Sequence, residues 1–246
     1  AHRKHLQEKR GFTDEQIAAF GFKSTPSPYL CRSLTARLLQ QGCTVQGVPG
    51  FYMDDNGRWT VKFHQRTSGI LIPYRNVDGQ IQGLQIRLDS PLKKEGDPPD
   101  KVGAKYLWVA STNKTYGVSS GSPIHFVGDP CSRVVYVTEG ALKADVAHVL
   151  MHRTFAATGG AGCIAQLGSL FAFLRRNGTE EIIEAEDMDK YSNKGVSQGA
   201  SKLCLLAEKH GLSCRRLTWN PNYKGIDDWQ LALDQKNRYK ENRELA

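Results

Sequence analysis

Four acidic positions mark the chemistry this chain could do. A strand-like run, Arg133-Val134-Val135-Tyr136-Val137-Thr138, ends on Glu139-Gly140, and a second, Glu181-Ile182-Ile183-Glu184-Ala185-Glu186, ends on Asp187-Met188-Asp189. Nearer the end of the chain stands Lys224-Gly225-Ile226-Asp227-Asp228-Trp229. Open α/β sheets bind ligands at the carboxyl ends of their strands, so acids delivered there make a site for a divalent cation. Magnesium, or manganese in its place, prefers oxygen ligands and is held by a few carboxylates together with substrate phosphates. In nucleotidyl transfer such ions neutralise phosphate oxygens, orient a triphosphate and help activate the attacking hydroxyl. Gly140 would allow close backbone approach, and a helix opening at Ala141 would aim its N-terminus at phosphate. The plainer reading is that Glu139 caps that helix while Asp187 and Asp189 begin a surface loop.

The elements that must position these acids read as strands and helices in alternation. Strand 134–138, helix 141–152, strand 154–157, helix 164–176, strand 181–186, helix 197–210, strand 214–218 and helix 226–233 follow one another. That order predicts an α/β fold with a mostly parallel sheet flanked by helices. Upstream the character differs. Residues 1–22 form a basic helical entry with Thr13 or Asp14 as cap and Gly21 as stop, and a second helix is expected over 33–41. From Gly50 short strands and turns follow, with Asp54-Asp55-Asn56-Gly57 and Asp78-Gly79 as turn chemistry between apolar runs. Segment 92–103 is charged and rich in Pro and Gly, an exposed loop. The expected organisation is a helical appendage over 1–45, a basic α+β subdomain over 46–130, the metal-binding domain over 131–235 and a charged tail or linker over 236–246.

Composition narrows the classes. The 246 residues carry 33 Lys+Arg against 25 Asp+Glu, a net charge of +8 that favours a polyanionic partner although the acidic segment is locally negative. The six cysteines include no Cys-x-x-Cys pair and no near His partner, so they read as reduced thiols of a cytoplasmic protein. His148 and His152 share a helix face without the Glu of a metalloprotease and read as packed or solvated histidines. Neither a signal peptide nor a membrane-spanning apolar stretch is expected. A chain opening on Ala1 rather than Met is expected to be processed or excised, with flanking domains elsewhere.

The ordered acids Glu139, Asp187 and Asp189, with Asp227 after them, resemble the Toprim domain shared by bacterial DnaG-type primases, topoisomerases and some nucleases. The resemblance extends upstream. The run Gly69-Ile70-Leu71-Ile72-Pro73-Tyr74-Arg75-Asn76-Val77-Asp78-Gly79-Gln80-Ile81-Gln82-Gly83-Leu84-Gln85-Ile86-Arg87, followed by Lys105-Tyr106-Leu107, is similar to the strand-turn-strand of the DnaG-type polymerase core. It covers roughly residues 50–235. It implies that Glu139, Asp187 and Asp189 are catalytic and, with Asp227, ligate Mg2+ or Mn2+. It also implies that Arg87, Lys105 and Lys143 contact phosphates, that Tyr106 stacks on a base, and that Gly140, Gly159, Gly160 and Lys224 line the nucleotide. The small-residue turn Thr158-Gly159-Gly160-Ala161-Gly162 would offer backbone amides. A single-stranded DNA template, nucleoside triphosphates and a replicative helicase are the partners implied, and no membrane.

The chain departs from the family pattern at defined places. Lys143 stands where an Asp is common, with Asp145 the nearby acid; Gly225 replaces the first acid of the last pair; and 190–194 is an insertion. Such changes resemble primase-like Toprim proteins of phages, plasmids and integrative elements. Primer synthesis is the activity implied, with a Toprim nuclease or a catalytically weakened nucleic-acid-binding replication module as alternatives.

Overall fold

The structure is a computed structural model and describes residues 1–244 except 94, 99, 192 and 193. The expected loop 92–103 and insertion 190–194 therefore lie partly outside the described residues. Helices α1 (His2–Arg10) and α2 (Asp14–Phe20) open the chain. Between them Thr13 N–H donates to Gln16 Oε1 at 2.8 Å and Gln16 N–H donates to Thr13 Oγ1 at 3.3 Å, a reciprocal cap that fixes where α2 begins. Gly21, at φ +75°, ends it.

The chain divides into two compact units whose boundaries do not run in simple chain order. The first comprises residues 1–2, 17–73 and 81–122; the second comprises 3–16, 74–80 and the chain from Pro123 onward. Of the segment expected as an appendage over 1–45, residues 3–16 thus group with the second unit and the rest with the first.

In the first unit, β1 (Lys23–Ser24) and α3 (Cys31–Gln40) precede a hairpin of β2 (Phe51–Met53) and β3 (Trp59–Val61). The Asp54-Asp55-Asn56-Gly57 turn closes that hairpin, with the Asp54 carboxylate accepting from the N–H groups of Asn56 and Arg58. Strands β4 (Gly69–Arg75), β5 (Ile81–Leu92) and β6 (Ala104–Trp108) complete a sheet ordered β1-β4-β5-β6. Its core gathers Cys31, Val61, Phe63, Ile86, Leu88 and Val109. A Cβ on Gly69 would lie 2.1 Å from the Arg87 carbonyl oxygen, so glycine is required where these strands meet.

The second unit contains β7 (His125–Val127), β8 (Val134–Glu139), α4 (Ala141–Met151), β9 (Thr154–Thr158), α5 (Leu167–Arg176), β10 (Glu181–Glu184), α6 (Lys194–Lys209), β11 (Ser213–Arg216) and α7 (Ile226–Glu244). The strand order is β11-β10-β8-β9-β7; β8, β9, β10 and β11 run parallel, and β7 pairs antiparallel with β9 at the edge. Alternation along the strands fills both faces, as a sheet covered on both sides requires. Val135, Val137, Ala156 and Ile182 pack with Leu167, Phe171 and Leu174 of α5 and with Leu203 and Ala207 of α6. Phe155 and Ala157 pack with Ala144 and Ala147 of α4 and with Ile226 of α7 on the other face. Each fully buried Leu, Ile or Phe stabilises by about 1.5–3 kcal/mol relative to exposure. Two expectations are corrected. A 3-10 turn, Ala161–Gln166, replaces the first turn of the helix expected from Ile164. The helix expected over 226–233 continues as α7 to Glu244, because the residues after Leu233 are polar but include neither Gly nor Pro to stop it. No described helix is long and apolar enough to cross a membrane.

Candidate metal and phosphate site

Three parallel crossovers bring the candidate acids to one sheet edge. Glu139 is the last residue of β8, and Gly140, at φ +86°, turns the chain straight into α4. The Gly140 N–H donates to the Thr158 carbonyl at 2.8 Å, and the Ala141 N–H donates to the buried Tyr74 hydroxyl at 3.3 Å, which pins this turn. Beside β8, β10 pairs Glu184 with Val137, and the Ala185 N–H donates to the Val137 carbonyl at 2.8 Å. That register sets Glu186 level with Glu139 and delivers Asp187 one step beyond. The Met188 N–H donates to the Lys224 carbonyl at 2.9 Å, tying the Asp-x-Asp loop to the residues before α7. The segment before α7 is itself held by Trp219, whose indole N–H donates to the Tyr223 carbonyl at 2.8 Å and whose ring stacks on Trp229.

Cations of the protein engage these acids. Lys143, in the first turn of α4, places Nζ 2.5 Å from Asp187 Oδ1, and Lys224 Nζ lies 2.7 Å from Asp189 Oδ2 and 3.6 Å from Asp187 Oδ2. Arg10, at the end of α1, donates from Nη1 to Asp227 Oδ2 at 2.5 Å. Asp187 and Asp227 are buried, whereas Lys224 is exposed. Burial is the largest single influence on Lys143 and lowers its pKa. The charges of Asp187, Asp227 and Glu139, with the Asp187 hydrogen bond, outweigh it and hold the ammonium above its usual value. The hydrogen bond to Asp189 raises Lys224 in the same way. Burial pushes Asp227 upward against the pull of the Arg10 guanidinium. Glu186 is only 1 % exposed, and neither carboxyl oxygen has a hydrogen-bond partner among the described residues. Burial first, then the charges of Glu139, Glu184 and Asp187, drive its pKa up to about 8.

Gly225 is part of the same construction. A Cβ there would lie 2.3 Å from Asp227 Oδ1 and 3.5 Å from Lys143 Cδ, so the missing side chain makes room for the Asp227 carboxylate and the Lys143 stem. Asp145, the nearby acid in the sequence, belongs elsewhere. Its Oδ1 lies 2.9 Å from His125 Nε2, while His125 Nδ1 accepts from the Arg75 N–H, and both side chains are buried. Gly159 and Gly160 follow β9, whose Thr158 is the register partner of Glu139. Gly160 is extended at φ +155°.

The remaining candidates lie in the first unit. Arg87 and Tyr106 are direct cross-strand partners and share a face of the sheet. Lys105, one residue before Tyr106, alternates away from that face, so the sheet unites Arg87 with Tyr106 and not with Lys105. Arg10 and Glu186 were missed by the sequence reading. Arg10 has no local pattern linking it to the acids, while Glu186 carried a signal in standing directly before Asp187 at the end of the strand-like run.

Among the described residues, no three His, Cys, Asp or Glu side chains form a ready-made metal-binding group, and Arg10, Lys143 and Lys224 pair with Asp227, Asp187 and Asp189. The donor chemistry nonetheless fits a hard divalent ion: the candidates are carboxylate oxygens, and Glu186 presents two buried oxygens with no hydrogen-bond partner.

The sequence matches no family profile and no curated protein. Solved structures do resemble the fold. The zinc-binding and RNA polymerase domains of Aquifex aeolicus primase align with TM-score 0.63 at 15 % identity, covering 95 % of this chain and 53 % of that one. A DnaG primase catalytic domain bound to single-stranded DNA aligns with TM-score 0.60 at 18 % identity over 100 % of this chain and 72 % of that one. The RNA polymerase domain of Mycobacterium tuberculosis DnaG gives TM-score 0.57 at 21 % identity, covering 89 % and 69 %. The chain thus spans about half the length of the Aquifex structure. At these identities the likeness speaks to architecture: the chain has the mixed α/β fold of a DNA primase catalytic domain.

Proposed function

We propose that this chain is a primase-like nucleotidyltransferase core that joins ribonucleotides on a single-stranded DNA template, in the cytoplasm, during replication of a phage, plasmid or integrative element. The observation that supports the reading is that Lys143 and Lys224 contact Asp187 and Asp189 just beyond β10, with the charges of Glu139 and Asp227 also acting on Lys143. The fold supports it, and one structure of that fold is of a catalytic domain bound to single-stranded DNA. Glu139, Asp187 and Asp189, with Asp227, would hold Mg2+ or Mn2+, which would supply charge neutralisation at the phosphates when bound. The protein's own part is position. Lys143 keeps Asp187 oriented, while Lys224, exposed at the rim, is free to exchange its carboxylate partners for a triphosphate oxygen. Gly140, Gly159 and Gly160 offer backbone at the same edge, and Arg87, Lys105 and Tyr106 serve the nucleic acid on the first unit.

A second reading, a nucleic-acid-binding replication module with little catalysis, is favoured by one observation: Asp187, Asp189 and Asp227 each already have a cation of the chain as partner. Incubation with single-stranded DNA, labelled nucleoside triphosphates and Mg2+ or Mn2+ decides between them. Template-dependent oligomers that vanish in Asp187→Asn and Asp189→Asn, with DNA binding retained, are expected. Binding without incorporation would favour the module, and trimmed template would mean a nuclease.

A further inference from the structure

Lys143 has a setting unlike that of the other two cations. Lys224 is exposed on a loop, and Arg10 engages Asp227 and Asp228 from the opening helix. Lys143 rises from the first turn of α4, its stem beside Gly225, and its ammonium meets Asp187 directly while lying within the field of Asp227 and Glu139. One carboxylate, Asp187, thus contacts the ammonium directly, and the charges of Asp227 and Glu139, from two other elements, act on it as well.

From this geometry we infer that the Lys143 ammonium is a resident cation of the cluster, occupying one ion position so that the acids take up a single divalent ion. The inference rests on the proposed reading that these carboxylates bind metal. Physical reasons favour one remaining position rather than two. Lys143, Lys224 and Arg10 offset three of the four carboxylates Glu139, Asp187, Asp189 and Asp227, and a doubly charged ion close to Lys143 would meet its repulsion. Lys224 can withdraw into solvent as an ion arrives. Lys143 is constrained by the helix and by the space Gly225 leaves. Neither Glu139 nor Glu186 has an ion-pair partner among the described residues, and Glu186 is buried with two unpartnered oxygens within the field of Glu139 and Asp187, which points to that side of the cluster for the single ion.

The test counts ions. The full chain is titrated with Mn2+ alone, and free Mn2+ is read from its room-temperature electron paramagnetic resonance signal. Wild type is expected to bind one Mn2+ per chain. Lys143→Met, which keeps the stem and removes the charge, is expected to bind two, or to tighten the first by about tenfold; Lys143→Arg should behave as wild type. Two ions on wild type, or none on both wild type and Lys143→Met, would overturn the inference, and the wild-type count alone suffices should Lys143→Met fail to fold. The outcome is separable from the activity reading. One ion with no nucleotide incorporation upholds the resident cation and defeats the polymerase proposal, whereas incorporation with two ions does the reverse.

Discussion

Arg10 Nη1 stands 2.5 Å from Asp227 Oδ2, joining the first helix of the chain to the first turn of the last across a separation of 217 residues. Asp227 is 1 % exposed, so removing its partner leaves a nearly buried charge uncompensated. Arg10→Met is expected to lower stability by about 2–3 kcal/mol. Adding Asp227→Asn should recover much of that loss, and urea denaturation of the single and double variants measures the coupling. Purely additive effects would deny the pair any energetic role.

Glu186 gives stability a pH dependence whose sign follows from its shift. The carboxyl is raised from 4.5 to about 8, so below pH 4.5 it is protonated in both states and contributes nothing. As pH rises above 4.5 the unfolded chain releases the proton that the native chain retains. Native protein then binds more protons, and stability falls until pH passes the folded value. The slope approaches about 1.4 kcal/mol per pH unit at most. In EDTA, wild type should lose stability relative to Glu186→Gln between pH 5 and 8, roughly the window that this shift opens. A difference that stays constant with pH would contradict the raised value.

Gly225→Ala should be costly although its backbone is unstrained. The new methyl would sit 2.3 Å from Asp227 Oδ1, forcing the carboxylate and its Arg10 contact to shift. A loss of about 1–3 kcal/mol is expected from such overpacking, read as a fall in denaturation midpoint. An unchanged midpoint would mean that Asp227 can relocate freely.

Arg87, Tyr106 and Lys105 should separate in single-stranded DNA binding. Replacing Arg87 or Lys105 by Ala should each reduce the salt slope by about one unit if each contacts a phosphate. Because Arg87 and Tyr106 pair across the strands, their Ala variants should be coupled in a double-mutant cycle, while Lys105 and Arg87 should be additive. An unchanged slope in both basic variants would remove phosphate contact from their roles.

The strand and helix alternation after Arg133 was legible because β8 and β9 are short, largely apolar runs, β10 carries Ile182 and Ile183 at its centre, and turn residues separate these strands from the helices. The same logic identified Glu139 and Asp187, since a carboxylate directly after such a strand breaks the pattern. Legibility ended where partners are distant. Nothing near Arg10 announces Asp227, and nothing near Asp145 announces His125, so the acid that the sequence offered as a stand-in for the position of Lys143 turned out to be a buried structural partner. Lys143 and Gly225, two separate departures in sequence, prove to be one packed arrangement with Asp227. The short edge strand His125–Val127 was also missed, because three residues carry too little periodicity to register.

The membership of residues 3–16 in the second unit has a consequence for synthesis. A ribosome extends a chain at roughly 5–20 residues per second, so Arg10 emerges on the order of 10–40 s before Asp227 is made. During that interval Leu6 and Phe12, buried in the finished protein, have no permanent home. The opening helix must be kept from aggregation or held by provisional contacts while the first unit is completed. Seating that helix therefore follows the synthesis of Asp227, and the acids near the sheet edge acquire their final electrostatic setting only when this earlier-made segment returns to them.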